Sequence, residues 1–217
     1  MNNIDLVIFD RDGTLLNTIA DICGSMNIVL AKHGCRQYTV EECKKFIGRG
    51  SMALLRAALG EGYDEEFYKN ILAEYLECYE NHAVVDTEIF DGIPEMLAKL
   101  QKMGVKLAVL SNKPDVLTKK IIKICFPEIE FLSVNGQKDG VPLKPDPTAT
   151  LQIIKSAKTD PEHTLFVGDS PEDWINAVNS GTNCVLVPWG YNGREVLQKL
   201  GADRIIDKPE DIFKLIH

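Results

Sequence analysis

Two aspartates one residue apart, Asp10 and Asp12, follow the apolar run Leu6-Val7-Ile8-Phe9, and Gly13 and Thr14 complete the segment. A short apolar run that ends in a turn predicts a buried strand. In an open parallel sheet, ligands sit beyond the carboxyl ends of the strands, so this strand would carry both carboxylates to the edge where chemistry takes place. Gly13 permits a sharp turn and a close approach to a ligand, and the Thr14 hydroxyl is expected to fix that turn. Alone, the segment also fits a plain strand followed by a turn in which Asp12 bonds only its own backbone. Three further polar points accompany it. Leu107-Ala108-Val109-Leu110 predicts a second strand, ending in Ser111-Asn112-Lys113-Pro114. Thr164-Leu165-Phe166-Val167 predicts a third, ending in Gly168-Asp169-Ser170-Pro171-Glu172-Asp173. Lys144-Pro145 lies between them, ahead of a helix expected to begin near Asp146-Pro147.

In this order, a carboxylate pair, a serine, a lysine and an acidic pair, the whole chain resembles the haloacid dehalogenase-type phosphohydrolases. The resemblance implies hydrolysis of a phosphate monoester. That reaction needs a nucleophile, a proton for the leaving oxygen and positive charge around the transferring group. By the resemblance, Asp10 attacks phosphorus to form an aspartyl-phosphate, and Asp12 protonates the leaving alkoxide and later takes a proton from water. The two carboxylates then need different environments, Asp10 ionised beside a cation and Asp12 protonated part of the time. Mg²⁺, a hard ion that takes oxygen ligands, suits the first requirement. The resemblance implies that Asp10, the main-chain carbonyl of Asp12 and Asp169 hold it, with Asp173 behind them orienting metal-bound water or Lys144. Ser111, Asn112 and Lys144 are implied to receive the phosphoryl group. Ordinary readings stand beside these: Ser111 as a turn residue, Lys144 as an exposed loop lysine, and Asp173 as the acidic third residue of a helix capped by Ser170.

The elements that must position these groups follow from periodicity. From about Glu88 onward helical and strand patterns alternate, which predicts crossover units and a parallel sheet. A helix is expected over Ile93–Met103, with Pro94 in its first turn, Gly104 past its end and Ile93, Leu97 and Leu100 on one face. Later strands are suggested at Phe131–Val134, Cys184–Val187 and Arg204–Ile206. The fold class is therefore α/β, with a doubly wound, Rossmann-like parallel core. Between Thr18 and about Val85 the pattern is helical throughout, and Tyr68, Ile71, Leu72, Tyr75, Leu76 and Tyr79 mark an amphipathic helix whose stripe is core packing. The resemblance makes this insertion a cap domain of the four-helix kind. The expected division is a core of residues 1–16 and 86–217 and a cap of residues 17–85, with hinges at 14–18 and 83–87.

Composition restricts the partners. The chain has 217 residues, with 24 basic and 32 acidic side chains for a net charge of −8. That excess argues against nucleic acid or an anionic membrane as a partner, while a small phosphorylated metabolite needs only local positive charge. No apolar run approaches the length of a membrane span, and no basic, apolar leader precedes the first strand, so a cytoplasmic location is expected. The six cysteines form no CxxC pair and are expected to be free thiols. Oligomeric state is not indicated.

Two positions depart from the family's pattern. Arg11 stands between the paired carboxylates where an apolar residue is usual; its stem is expected to pack while its head reaches water, the alternative being an extra cation at the mouth of the site. Asn17 stands where relatives often carry Asp. In the insertion, Ile47-Gly48-Arg49-Gly50-Ser51 resembles a loop of phosphoglycolate phosphatase-like members, where Arg49 would bind a substrate carboxylate. An ordinary interhelix connection, with a glycine ending one helix and Ser51 capping the next, fits the same residues. The expected activity is Mg²⁺-dependent hydrolysis of a small phosphorylated metabolite, with 2-phosphoglycolate favoured. A phosphosugar mutase of the same superfamily would be expected to show a histidine near positions 19 to 21, where this chain has Ile19-Ala20-Asp21. A non-catalytic binding module would have little reason to keep all four charged positions.

Overall fold

The computed structural model describes residues 3–202 and 204–216. In chain order its elements are β1 (Leu6–Phe9), β2 (Leu16–Asn17), α1 (Ile19–Lys32), α2 (Val40–Cys43), α3 (Ser51–Leu59), α4 (Glu65–His82) and β3 (Glu88–Ile89). There follow α5 (Ile93–Lys102), β4 (Lys106–Pro114), α6 (Asp115–Cys125), β5 (Ser133–Gln137), α7 (Thr148–Ala157), β6 (Thr164–Gly168), α8 (Pro171–Ser180), β7 (Asn183–Leu186) and α9 (Gly193–Lys199). The chain divides into two compact units, residues 1–16 with 89–217 and residues 17–88.

The first unit is built on a five-stranded sheet in the order β5-β4-β1-β6-β7. All of its pairings are parallel, Leu6 to Phe9 lying between Lys106 to Val109 on one side and Thr164 to Val167 on the other. Parallel strands need crossovers, and the helices between them cover both faces. One face of the core joins Leu6, Ile8, Ala108, Leu110, Phe166 and Leu186 to Ile153, Ile154, Ala177 and Leu197 from the helices. The alternate strand residues Val7, Phe9, Leu107, Val109, Leu165, Val167 and Val185 are buried as well, which explains why these strands read as continuous apolar runs. β1 and β6 thus end side by side at the centre of the sheet, and Asp10 and Asp169 emerge there.

Several elements differ from their expected bounds. β4 does not stop at Leu110 but continues through Ser111–Pro114, because a shift in register after Leu110 lets Pro114 pair with Gln137. β5 correspondingly covers Ser133–Gln137 rather than Phe131–Val134. Its Gly136 is required by space: a Cβ there would lie 2.5 Å from the Asp115 Cα at the start of α6. Arg204–Ile206 forms only an isolated bridge, Ile205 with Leu186, in place of a strand. The expected hydroxyl bond in the first turn is also not made. Thr14 Oγ1 is buried with no hydrogen-bond partner among the described residues, and the turn is held by main-chain bonds from Leu15 N and Leu16 N to the Arg11 carbonyl, both 3.0 Å.

The second unit holds α1 to α4. α1 packs on α4, which buries Tyr68, Ile71, Tyr75, Cys78 and Tyr79 along the stripe expected from its spacing, with Leu72 and Leu76 half-buried beside it. The buried Asp21 carboxylate on α1 accepts bonds from Val84 N (3.0 Å), Val85 N (3.2 Å), Asp86 N (2.8 Å) and Thr87 Oγ1 (2.6 Å). These bonds hold Val84 at φ +69°, an uncommon conformation for a β-branched residue. They also tie residues 84–87 to α1, so the return to the first unit falls after Glu88, not at 85. All six cysteines are free thiols. No helix among the described residues is long and apolar enough to cross a membrane.

Candidate active site

The site is assembled from the carboxyl ends of β1, β4 and β6 and from the loops that follow β5 and β7. At its centre the Lys144 ammonium lies 2.6 Å from Asp10 Oδ1 and 2.7 Å from Asp173 Oδ1, all three side chains being buried. Lys144 is therefore not an exposed loop lysine. Burial opposes its charge, but the Asp10 and Asp173 carboxylates outweigh that effect and raise its proton affinity above the ordinary lysine range. Asp173 serves two partners at once. Its Oδ1 takes Lys144, while Oδ2 accepts from Ser170 N (3.1 Å) and Ser170 Oγ (2.6 Å) in a capping box that starts α8. The cap reading and the site reading of Asp173 hold together, since a carboxylate has two oxygens.

Asp10, Asp169 and Asp173 can each offer one oxygen such that the three atoms lie within 4.8 Å of one another. Burial is the largest influence on Asp10 and pushes it up to about 7; Lys144 lowers it, while Asp173 and Asp12 raise it. Asp169 is likewise raised well above the usual carboxylate range, by burial first and then by the Asp10 and Asp173 charges. Three carboxylates gathered around one ammonium leave an excess of negative charge away from water. This donor set, oxygen only, buried and undercompensated, fits a hard divalent cation.

Glycines shape the cluster. Gly13, at φ +88°, would place a Cβ 2.4 Å from Asp169 Oδ2, and a Cβ on Gly190 would lie 2.3 Å from the same oxygen. The Gly190 loop then fixes Asp169 directly: Tyr191 N donates to Asp169 Oδ2 at 2.7 Å, and Asn192 Nδ2 donates to the Asp169 carbonyl at 3.1 Å. Trp189 Nε1 donates to the Thr14 carbonyl at 3.1 Å, tying the same loop to the first turn.

β4 contributes Ser111, Asn112 and Lys113, all buried. Ser111 Oγ accepts from Lys113 N at 3.2 Å, which leaves its proton available to a phosphoryl oxygen. Asn112 spends its amide on the Lys144 main chain, with Nδ2 donating to the carbonyl (3.0 Å) and Oδ1 accepting from N (2.9 Å). Lys113 is a cation that the sequence reading passed over. Burial pushes it down to about 8, against the pull of Asp12 and with the help of Arg11.

Arg11 corrects the expectation set for it. Its head does not reach water; the side chain is fully buried, with Nε donating to Asp12 Oδ1 at 2.9 Å and Nη2 to Asp12 Oδ2 at 2.8 Å. Desolvating a guanidinium is costly unless it is paired, and the adjacent carboxylate supplies the pair. Arg49 belongs to the second unit. It is exposed on the segment between the Lys44–Phe46 turn and α3, flanked by Gly48 (φ +112°) and Gly50 (φ +86°). Gly50, not Ser51, occupies the cap position of α3.

The residues that sequence reasoning missed are Lys113 and the Trp189-Gly190-Tyr191-Asn192 loop. The loop had a usable signal, because it follows the apolar run Cys184–Val187 as the other polar points follow theirs.

A family model of haloacid dehalogenase-like hydrolases matches residues 7–187 of this chain. The chain belongs to that family. A phosphoglycolate phosphatase of Aquifex aeolicus is 34% identical over 212 residues, covering 97% of this chain and 96% of the relative. An N-acetylmuramic acid 6-phosphate phosphatase of Pseudomonas aeruginosa is 30% identical over 213 residues, covering 97% and 93%. The crystal structure of a candidate phosphoglycolate phosphatase from Lactobacillus delbrueckii subsp. bulgaricus superposes with a TM-score of 0.91 at 30% identity, over 99% of this chain and 98% of that one. This haloacid dehalogenase-like hydrolase is a phosphoric monoester hydrolase acting on small phosphates, and its buried acidic cluster is one that can bind a metal ion.

Proposed function

We propose that the chain hydrolyses a small phosphomonoester that also carries a carboxylate, with 2-phosphoglycolate the favoured substrate, by a Mg²⁺-dependent route through an aspartyl-phosphate on Asp10. The observation that carries this reading is the Lys144 ammonium bonded to Asp10 Oδ1 at the end of β1. It holds one oxygen of the carboxylate and leaves the other to attack phosphorus. Asp10 forms the new bond to phosphorus as the ester P–O bond breaks, and Asp12 gives a proton to the departing oxygen. Water then attacks phosphorus, Asp12 takes its proton, and the Asp10 carboxylate is regenerated with release of phosphate. Lys144 and the Ser111 hydroxyl balance the charge on the phosphoryl oxygens. Asp10, the Asp12 carbonyl and Asp169 would hold Mg²⁺, with Asp173 behind them. When bound, the ion would supply positive charge to offset the phosphoryl oxygens.

The substrate class rests on chemistry that the two curated relatives share. Phosphoglycolate and N-acetylmuramic acid 6-phosphate are both phosphate esters of a carboxylic acid. Arg49 is the cation we assign to the carboxylate. Six free thiols suit a reducing compartment, and we place the protein in the cytoplasm.

Phosphate release from a panel of phosphorylated acids and neutral phosphosugars, with and without Mg²⁺, tests the reading. Asp10→Asn should remove turnover while leaving the unfolding curve close to wild type. Wild-type turnover in that variant would sink the mechanism, and a preference for neutral sugar phosphates would sink the substrate class.

A further inference from the structure

The proposed mechanism needs Asp12 to face the leaving oxygen at the moment the ester bond breaks, yet nothing in that mechanism uses Arg11. Neighbouring side chains in an extended segment point to opposite sides, so residues 11 and 12 can meet only where the chain bends. The bend is present. The Arg11 carbonyl accepts from Leu15 N and Leu16 N at 3.0 Å each, and Gly13 N donates to the Leu16 carbonyl at 2.9 Å. This closed turn brings the guanidinium onto the carboxylate of the next residue with two prongs, Nε to Oδ1 at 2.9 Å and Nη2 to Oδ2 at 2.8 Å. Both carboxylate oxygens are engaged, which fixes the plane of the group as well as its direction. Each oxygen has two lone pairs, so accepting from Arg11 does not by itself bar a proton from the carboxylate.

We infer that Arg11 is a positioning residue for catalysis, aiming the Asp12 carboxylate at the leaving-group oxygen through its two-pronged hydrogen bond. This inference rests on the general acid assignment made above. The fork matters because a lysine in its place would be a point charge about which the carboxylate can turn, and an apolar residue would remove both prongs. Loss of aim is costly, since a misplacement of about 1 Å can reduce turnover by roughly 10²-fold. The effect should be selective. A phenolate leaves with little help from an acid, whereas an alkoxide needs its proton, so formation of the aspartyl-phosphate depends on where Asp12 points only for esters with poor leaving groups; the later attack of water is common to both esters and does not enter kcat/KM.

The test compares kcat/KM for an alkyl phosphate and for an aryl phosphate in wild type, Arg11→Met, Arg11→Lys and Asp12→Asn, with unfolding curves for each. Arg11→Met should lower alkyl kcat/KM by about 10-fold or more and aryl kcat/KM by less than about 3-fold. Arg11→Lys should shift the alkyl-to-aryl ratio in the same direction, and it decides the matter if the Met variant does not fold. Equal losses on both esters would make Arg11 a structural residue and overturn the inference. So would an unchanged ratio in both variants, or faster alkyl turnover in either. Asp12→Asn separates the two levels. If it too fails to discriminate between the esters, the acid assignment falls and takes the inference with it; if it discriminates and the Arg11 variants do not, the inference alone is lost.

Discussion

Asn112 and Lys144 are joined twice, the Asn112 amide pairing with both main-chain polar groups of Lys144 at 3.0 and 2.9 Å. The end of β4 thereby holds the loop that carries the ammonium. Asn112→Ala would leave a buried N–H and a buried carbonyl unsatisfied, a cost of about 1–3 kcal/mol. Urea unfolding should register that loss, and kcat should fall with it because Lys144 is no longer held against Asp10. A variant with normal stability and normal kcat would show that the pairing is dispensable.

The loop after β7 makes a separate prediction about metal use. Chelator should stop turnover and Mg²⁺ should restore it. In Gly190→Ala, the new Cβ would start 2.3 Å from Asp169 Oδ2, so the loop or the carboxylate must move. The Mg²⁺ concentration for half-maximal activity should rise by roughly 10- to 100-fold, the range for disturbing a group that orients a ligand. A titration of activity against Mg²⁺ that superposes on wild type would exclude a role for this loop in holding Asp169.

Lys113 predicts a pH dependence of stability. Its folded-state proton affinity corresponds to about 8, against 10.5 for an ordinary lysine, with burial the main cause. The lowered value means that keeping Lys113 charged costs stability below about pH 8. Between about 8 and 10.5 the folded protein releases a proton that the unfolded chain retains, and the cost is relieved. Relative to Lys113→Met, wild type should therefore gain on the order of 2 kcal/mol between pH 7.5 and pH 10. Chemical unfolding of both proteins at the two pH values measures the difference; a gap that does not change with pH rules out a buried, charged Lys113.

Arg49 tests the substrate class without touching phosphorus chemistry. Arg49→Ala should weaken kcat/KM for 2-phosphoglycolate by about 1–3 kcal/mol, the scale of a lost hydrogen bond to a charged group. An aryl phosphate without a carboxylate should be hydrolysed almost as before. Equal losses would assign Arg49 to structure, and no loss on either substrate would make it an ordinary loop residue.

The positions to which we assign the chemistry were legible in the chain because they depend on local order. Apolar runs such as Leu6–Phe9 and Thr164–Val167 become buried strands wherever both faces of a parallel sheet are covered, and whatever polar residue follows them lies on the sheet edge. The Ser170 and Asp173 cap, the stripe on α4 and the alternation of helix and strand are equally local, each a matter of three- or four-residue spacing or of short-range hydrogen bonds. β5 was misplaced because its Asn135, Gly136 and Gln137 are strand residues only by virtue of the shifted register of β4 beside them.

Only the tertiary structure decided who partners whom. The Lys144 ammonium meets Asp10 across 134 positions and Asp173 across 29, and Tyr191 meets Asp169 across 22, distances over which no spacing rule operates. Arg11 is the sharpest case. A long charged side chain ordinarily lowers its energy by keeping its head in water. Here the turn closed on the Arg11 carbonyl and the burial of the side chain bring the guanidinium onto the neighbouring carboxylate, which compensates its charge. Whether a cation faces solvent or grips an acid depends on the balance between desolvation and pairing, and that balance is set by the packed surroundings rather than by the order of residues.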